Sequence, residues 1–425
     1  MTYDDAVNYI EKSAKLGSIL GLSRMEKLCD FLGNPQKNFS VIHVAGTNGK
    51  GSIGAMIASI LTQAGYDCGM YYSPALSGIT DHFKINGELI SNEDYAKCIE
   101  KVASADLKLK NDSGEGATSF ELETAAAFVY FSDRKVDVAV IECGLGGRDD
   151  ATNIINAKDL CVFASISLDH TAILGNTISK IASVKSGIIN CKCPVVCYDS
   201  GDEAVKEIKA AADKFGCPVS VARFDELSGT CDYPVGEKIR YKNIEARVNL
   251  SGKFQQRNAC VAIEAAWAIR GKFNISENAI IKGLDKVIWP FRFEKISDEP
   301  LTIVDGAHNP GAAKLLAKTV AERLKGYDIV YVVGMFKDKD CKKVLEEVIP
   351  GARRVITVTT SNQKRALGAQ ELAFLAEKYC SVVAADSIIK AREMAEEEVA
   401  CLKGNTAIIA FGSLSYLSEF KNGKS

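Results

Sequence analysis

Short, continuously apolar runs rich in β-branched residues alternate along this chain with longer stretches whose apolar positions recur at helical spacing. The runs predict strands at Val41–Ala45, Val136–Ile141, Cys161–Ser167, Val195–Tyr198, Ile303–Asp305, Ile329–Val333, Val355–Thr359 and Ala407–Phe411. Between them, Ile53–Ala64 and Ala312–Leu324 read as amphipathic helices. Strands that are apolar throughout, rather than on alternate residues, need cover on both faces, and helical crossovers between parallel strands provide it. The fold class is therefore α/β. From roughly Asp225 to Leu250 the alternation breaks down, which predicts an antiparallel excursion inside the first domain. A boundary is expected near Trp289-Pro290-Phe291-Arg292-Phe293, where a new strand–helix series begins, giving domains 1–294 and 295–425.

Composition narrows the class of function. The chain has 425 residues and is 47% hydrophobic, enough for two or three domains with substantial cores. Its 52 basic and 54 acidic side chains leave a formal net charge of -2, which argues against nucleic acid or an anionic membrane as partner. The start Met1-Thr2-Tyr3-Asp4-Asp5 lacks a secretory signal, and no apolar run reaches the ~20 residues of a membrane span. A cytoplasmic protein is expected, with its 14 cysteines as reduced thiols. Cys191, Cys193 and Cys197 are the densest group, but three thiols at awkward spacing with no nearby histidine read as buried side chains rather than a zinc site.

Chemistry concentrates at strand ends. Ala45-Gly46-Thr47-Asn48-Gly49-Lys50-Gly51-Ser52 follows one predicted strand and opens a helix near Ser52. Its glycines let backbone N–H groups turn toward a polyphosphate, while the helix N-terminus and Lys50 add positive charge. The spelling differs from the standard phosphate-loop pattern, because Gly51 separates Lys50 from the Ser52 hydroxyl. The run Val138–Ile141 ends in Glu142, which would meet that loop at the carboxyl edge of the sheet and hold a Mg²⁺. The next strand delivers Leu168-Asp169-His170-Thr171 to the same edge. Lys185 alone reads as a surface lysine or a simple ion pair.

Taken in order, these residues resemble the Mur ligase superfamily, and within it the folylpolyglutamate synthase/dihydrofolate synthase family. The resemblance runs from His43–Ser52 through Ser73-Pro74, Glu142–Arg148 with Asp150-Ala151-Thr152-Asn153, Leu168–Thr171 and Lys185–Ile189. It continues through Gln256–Ala259, Trp289–Glu294, Asp305–Pro310, Asp338–Asp340 and Phe411–Leu414. It implies a large phosphate-loop domain with a mainly parallel sheet, followed by a smaller Rossmann-like C-terminal domain. Thr47, Asn48, Gly49, Lys50, Gly51, Ser52, Asn258, Arg292, Asp305 and His308 would bind ATP, which would lie between the two domains. Ser73 and Glu142 would hold one Mg²⁺ and His170 a second. Lys185 would be N-carbamylated, and with Lys50 and His170 would form the catalytic set. Thr118, Ser119, Phe120 and Glu121, together with Asp149, Asp150 and Ala151, would hold the pteroate or folate. Two departures stand out: Asp81-His82-Phe83 replaces a Glu-Arg-Ile-like string, and Phe291 replaces a glycine.

The implied reaction is ATP-dependent addition of L-glutamate to tetrahydrofolate, and also to dihydropteroate, through an acyl phosphate with release of ADP and phosphate. A monomer is expected. The alternative is a Mur-type ligase joining an amino acid to another carboxylate, although those acting on nucleotide-linked cell-wall precursors need an N-terminal domain ahead of the phosphate loop. The Asn-Lys-x-Asp string of a guanine-nucleotide switch is absent.

Overall fold

The computed structural model describes residues 1–425 except 15, 16, 18–20, 76, 77, 233, 363, 364, 424 and 425. The chain forms two compact units. The first comprises Met1–Gly229, Ile239–Val248 and Phe254–Ile288, and the second Thr230–Lys238, Asn249–Lys253 and Trp289–Ser425.

The first unit is built on an eight-stranded sheet. Its strands are β1 (Ser40–Ala45), β2 (Cys68–Tyr71), β3 (Phe83–Ile85), β4 (Glu88–Leu89), β5 (Val138–Glu142), β6 (Leu160–Phe163), β7 (Val195–Cys197) and β8 (Val219–Val221). The order is β4-β3-β2-β5-β1-β6-β7-β8, with β3 near one edge antiparallel to both its neighbours and every other neighbouring pair parallel. All five residues of β5 are buried, as its unbroken apolar sequence requires. The helices Asn92–Ser113 and Ser119–Asp133 contribute Tyr95, Phe128 and Phe131 to a core shared with Tyr71 and Ile141. Phe131 is fully buried, so truncation to alanine would cost about 3–5 kcal/mol. The chain leaves β1 toward β2 on one side and later returns from β5 across β1 to β6. That reversal of winding puts the ends of β1, β5 and β6 at a topological switch point, the usual place for a ligand crevice.

The predicted break in alternation is a three-stranded sheet of β9 (Leu227–Cys231), β10 (Glu237–Tyr241) and β11 (Ile244–Val248), in the order β11-β10-β9. Lys242 and Asn243 join β10 to β11, with Lys242 at φ 52, and a two-residue turn of this kind makes the pair antiparallel.

The second unit holds a six-stranded sheet. Its strands are β12 (Glu294–Asp298), β13 (Leu301–Asp305), β14 (Asp328–Val333), β15 (Arg354–Thr357), β16 (Val382–Ala384) and β17 (Thr406–Phe411). They run in the order β12-β13-β17-β14-β15-β16, with only β12 antiparallel to its neighbour. Asn309 caps the helix Pro310–Arg323 by accepting from the Ala312 N–H, and Pro310 occupies the first turn, where no N–H is needed. At the end of that helix Arg323, 1% exposed, pairs with the fully buried Glu237 and donates to the carbonyls of Asp232 and Gly236. Among the described residues, no helix is long and apolar enough to cross a membrane.

Candidate active site

The phosphate loop is shaped by two glycines in left-handed or near-left-handed backbone. Gly46 (φ 144) lies so close to β6 that a Cβ would come 2.7 Å from the Ala164 Cβ. Gly49 (φ 91) immediately precedes the helix Lys50–Gln63, and a Cβ there would be 2.9 Å from Asn258 Oδ1. The loop between them is tied down. The N–H groups of Thr47 and Asn48 both donate to the Ser165 carbonyl, at 2.7 and 3.2 Å. Thr47 Oγ1 donates to the Ser167 carbonyl, and Asn48 Nδ2 to Ser167 Oγ. Helix initiation at Lys50 rather than Ser52 leaves the first N–H groups of the helix at the loop mouth, ready for an anion.

Lys50 Nζ lies 3.5 Å from Glu142 Oε1, and the two side chains are 17% and 9% exposed. A lysine and a carboxylate thus face one another at the carboxyl edge of the sheet. Ser73 follows β2 by two residues and so stands at the same edge. Ser52 Oγ accepts from Gln255 Nε2 at 3.2 Å, and Gln255 Oε1 accepts from Asn258 Nδ2 at 2.9 Å. The helix Lys253–Ile269 thereby brings Asn258 to the loop.

Lys185 is not at the surface, contrary to the expectation from its sequence position alone. It is 5% exposed, and its Nζ donates to the Gly46 carbonyl at 2.7 Å. Burial, reinforced by the charge of Lys50, lowers its pKa to about 8. His170 is not drawn into this cluster. Its side chain is 57% exposed, and its ring lies 3.8 Å from Asp169.

The groups expected to hold pteroate are largely engaged within the fold. Thr118 and Glu121 form a capping box on the helix Ser119–Asp133, and Glu121 also pairs with Arg24 at 3.1 Å. Asp150 is buried: its Oδ2 accepts from the Leu145 N–H and its Oδ1 from the Thr152 N–H and hydroxyl. Ala151 is buried, Asp149 exposed, and Ser119 and Phe120 half-buried.

In the second unit, Asp305 ends β13 and accepts from the N–H groups of Phe293 (2.8 Å) and Ala307 (2.9 Å). Its burial raises its pKa, opposed first by the charge of Arg292. Phe291 and Phe293 both have positive φ, 59 and 48, and this turn leaves Arg292 exposed between two buried rings. His308 Nδ1 must donate to the Gly306 carbonyl at 2.8 Å, since a carbonyl only accepts, so its Nε2 is the ring atom left for other contacts.

Comparison with known proteins places this arrangement. The family model for the Mur ligase middle domain matches residues 44–266, and that for the Mur ligase, glutamate ligase domain matches 291–414. A dihydrofolate synthase/folylpolyglutamate synthase of Bacillus subtilis is 36% identical over 360 residues, covering 81% of this chain and 82% of the relative. This chain belongs to that family of Mur ligases. Folylpolyglutamate synthase from Thermotoga maritima superposes with a TM-score of 0.84 at 30% identity, over 99% of this chain and 97% of that one. The E. coli FolC structure in complex with DHPP and ADP gives 0.78 at 28% identity, over 99% and 98%. The chain is accordingly an ATP-dependent ligase.

Three residues of this ligase escaped the sequence reading: Ser165, Ser167 and Gln255. The serines are the first polar positions after β6 and sit at the switch point, so their place on the edge was a usable signal. Gln255 lies three residues before Asn258 on one helical face, and helical spacing could have found it.

Proposed function

We infer that this ligase adds L-glutamate to folates at the expense of ATP, releasing ADP and phosphate. The observation that carries the reading is the Lys50–Glu142 pair at the mouth of a glycine-shaped loop, in a chain whose relatives are named for that activity. In the first step the acceptor carboxylate attacks the γ-phosphoryl group, so two anions must approach one another. Lys50 and the N–H groups that open its helix supply opposing charge along that approach. The neutral amine of glutamate then attacks the activated carbonyl, the C–O bond to phosphate breaks as phosphate leaves, and the nitrogen gives up a proton to solvent.

The donor set suits Mg²⁺. Among the described residues no group of three or more His, Cys, Asp or Glu side chains forms a metal cluster. An ion that keeps several waters and takes phosphate oxygens needs only one or two protein ligands, which Glu142 and Ser73 would supply, with His170 at a second ion. Bound there, it would neutralise charge developing on the phosphate oxygens. We assign Thr47 to Ser52, Asn258, Arg292, Asp305 and His308 to the nucleotide, and Lys185 to a carbamylated state. Thr118 to Glu121 and Asp149 to Ala151 are assigned to the pteroate or folate. Dihydropteroate is proposed as a second acceptor, supported by the double name of the Bacillus subtilis relative. We also assign a monomer working in the reducing cytoplasm, in keeping with 14 free cysteines.

The test is an assay of purified protein with ATP, Mg²⁺ and glutamate, against tetrahydrofolate and dihydropteroate separately. Glutamylated product with one ADP per bond formed is expected. AMP and pyrophosphate, or no turnover with either pteridine, would sink the reading.

A further inference from the structure

Several acidic side chains gather around the ends of β2 and β5 and the start of the helix Ser119–Asp133, and the fold commits nearly all of them. Asp150 is saturated by Leu145 and Thr152, Glu121 is held by its capping box and Arg24, and Glu142 faces Lys50. Asp81 accepts from the Gly78 N–H at 3.3 Å. Glu123 is the exception. Its side chain is 13% exposed, and among the described residues its recorded partner is His82 Nε2 at 3.8 Å, beyond hydrogen-bond range.

A neutral His82 ring offers no donor to the ionised carboxylate. Its Nδ1 faces the Tyr72 carbonyl at 2.6 Å and must donate there, which leaves the Nε2 lone pair turned toward the carboxyl. Burial, the largest influence on His82, disfavours the protonated ring that could donate from both nitrogens. The surroundings are aromatic: the Tyr71 ring centroid lies 6.0 Å from that of His82 and 6.4 Å from that of Phe120. Such walls push the Glu123 carboxyl up to about 7. An arginine at position 82, as in the Glu-Arg-Ile-like string of the family, would carry permanent donors toward Glu123. The histidine of this chain does not.

An ionised carboxylate beside aromatic rings, only 13% exposed and with no donor within hydrogen-bond distance among the described residues, gains when a ligand supplies one. Phe120 offers a flat apolar surface on the same helix. It lies one helical turn before Glu123, is half-buried, and rests on the backbone of Gly144, where a Cβ would come 2.5 Å from its ring. The flat ring and the carboxylate together suit a planar heterocycle with adjacent N–H donors. The pyrimidine edge of a pteridine has such donors, a ring N–H beside an exocyclic amine, which two carboxylate oxygens accept in parallel.

We propose that Glu123 is the specificity-determining residue that binds the aminopyrimidine edge of the pteridine substrate. This deepens the folate reading above and rests on it. The test compares wild type with Glu123→Gln at about pH 8, where the carboxylate is ionised. KM is measured for the pteridine acceptor, ATP and glutamate, together with the affinity for an acceptor analogue lacking the exocyclic amine. The pteridine KM should rise about tenfold or more, with ATP and glutamate KM unchanged. Removing the amine should weaken binding to wild type by a similar factor and to the variant hardly at all. Should the glutamine variant lose its cooperative unfolding transition, Glu123→Asp replaces it, with the same selective loss expected in smaller measure. An unchanged pteridine KM, an equal rise for all three substrates, or undiminished discrimination in the variant overturns the assignment while leaving the folate reading intact. A wild type that binds no pteridine overturns both.

Discussion

Lys185 offers a sharp physical test, because its buried position makes a reactivity predictable. An amine captures CO₂ only when neutral, its lone pair forming the N–C bond as a proton is lost. At a pKa of about 8, roughly a tenth of Lys185 is neutral at pH 7, against roughly one in 2,500 for an ordinary lysine near 10.4. Burial and the neighbouring Lys50 thus raise the reactive form roughly 200-fold. The product would carry a negative charge beside Lys50, so the cation that depresses the amine pKa would also stabilise the carbamate. Stripping CO₂ and bicarbonate from buffers near pH 7 should cut turnover at least several-fold, and added bicarbonate should restore it. Lys185→Ala should be nearly inactive and partly rescued by a small carboxylic acid. Native mass spectrometry of the wild type should show the added mass of one CO₂, absent in the variant. Full activity in CO₂-free buffer with no added mass would refute the reasoning.

Three further substitutions probe the frame. Lys50→Ala should reduce turnover by about a thousandfold or more while leaving the unfolding transition in place, read by steady-state kinetics and thermal melting. Gly49→Ala adds a Cβ 2.9 Å from Asn258 Oδ1 at a φ of 91. It should lower stability by about 1–2 kcal/mol and raise the ATP KM, measured by denaturant titration and kinetics. Arg323→Ala removes the cation that faces the buried Glu237 carboxylate and should destabilise the second unit by about 3–5 kcal/mol, seen as a lower denaturation midpoint.

Much of this molecule was legible because the buried parallel strands are unmixed runs that stop abruptly at polar residues. Glu142 after Val138–Ile141 and Asp305 after Leu301–Val304 announce both the end of a strand and its chemistry. What stayed hidden has local causes. β2 reads Cys-Gly-Met-Tyr, without a β-branched residue, and β8 and β16 offer only two valines each in three residues, too short for a pattern to show. Lys185 lies four residues after the buried Ile181, on the apolar stripe of its helix. That spacing turns it inward, although the cost of burying an ammonium makes a lysine more often a surface residue. Thr118-Ser119-Phe120-Glu121 carries two messages at once, since a capping box and a ligand segment use the same residue types. The Glu123–His82 juxtaposition joins residues 41 positions apart and needed coordinates to appear.

Everything in this chemistry depends on activation of the acceptor carboxylate by phosphoryl transfer from ATP. A heavy-oxygen label in that carboxylate tests it directly, because an acyl phosphate loses one of the two carboxylate oxygens with the departing phosphate. Labelled inorganic phosphate should appear in step with amide bond formation and ADP release. Unlabelled phosphate, or label carried off in AMP, would contradict it.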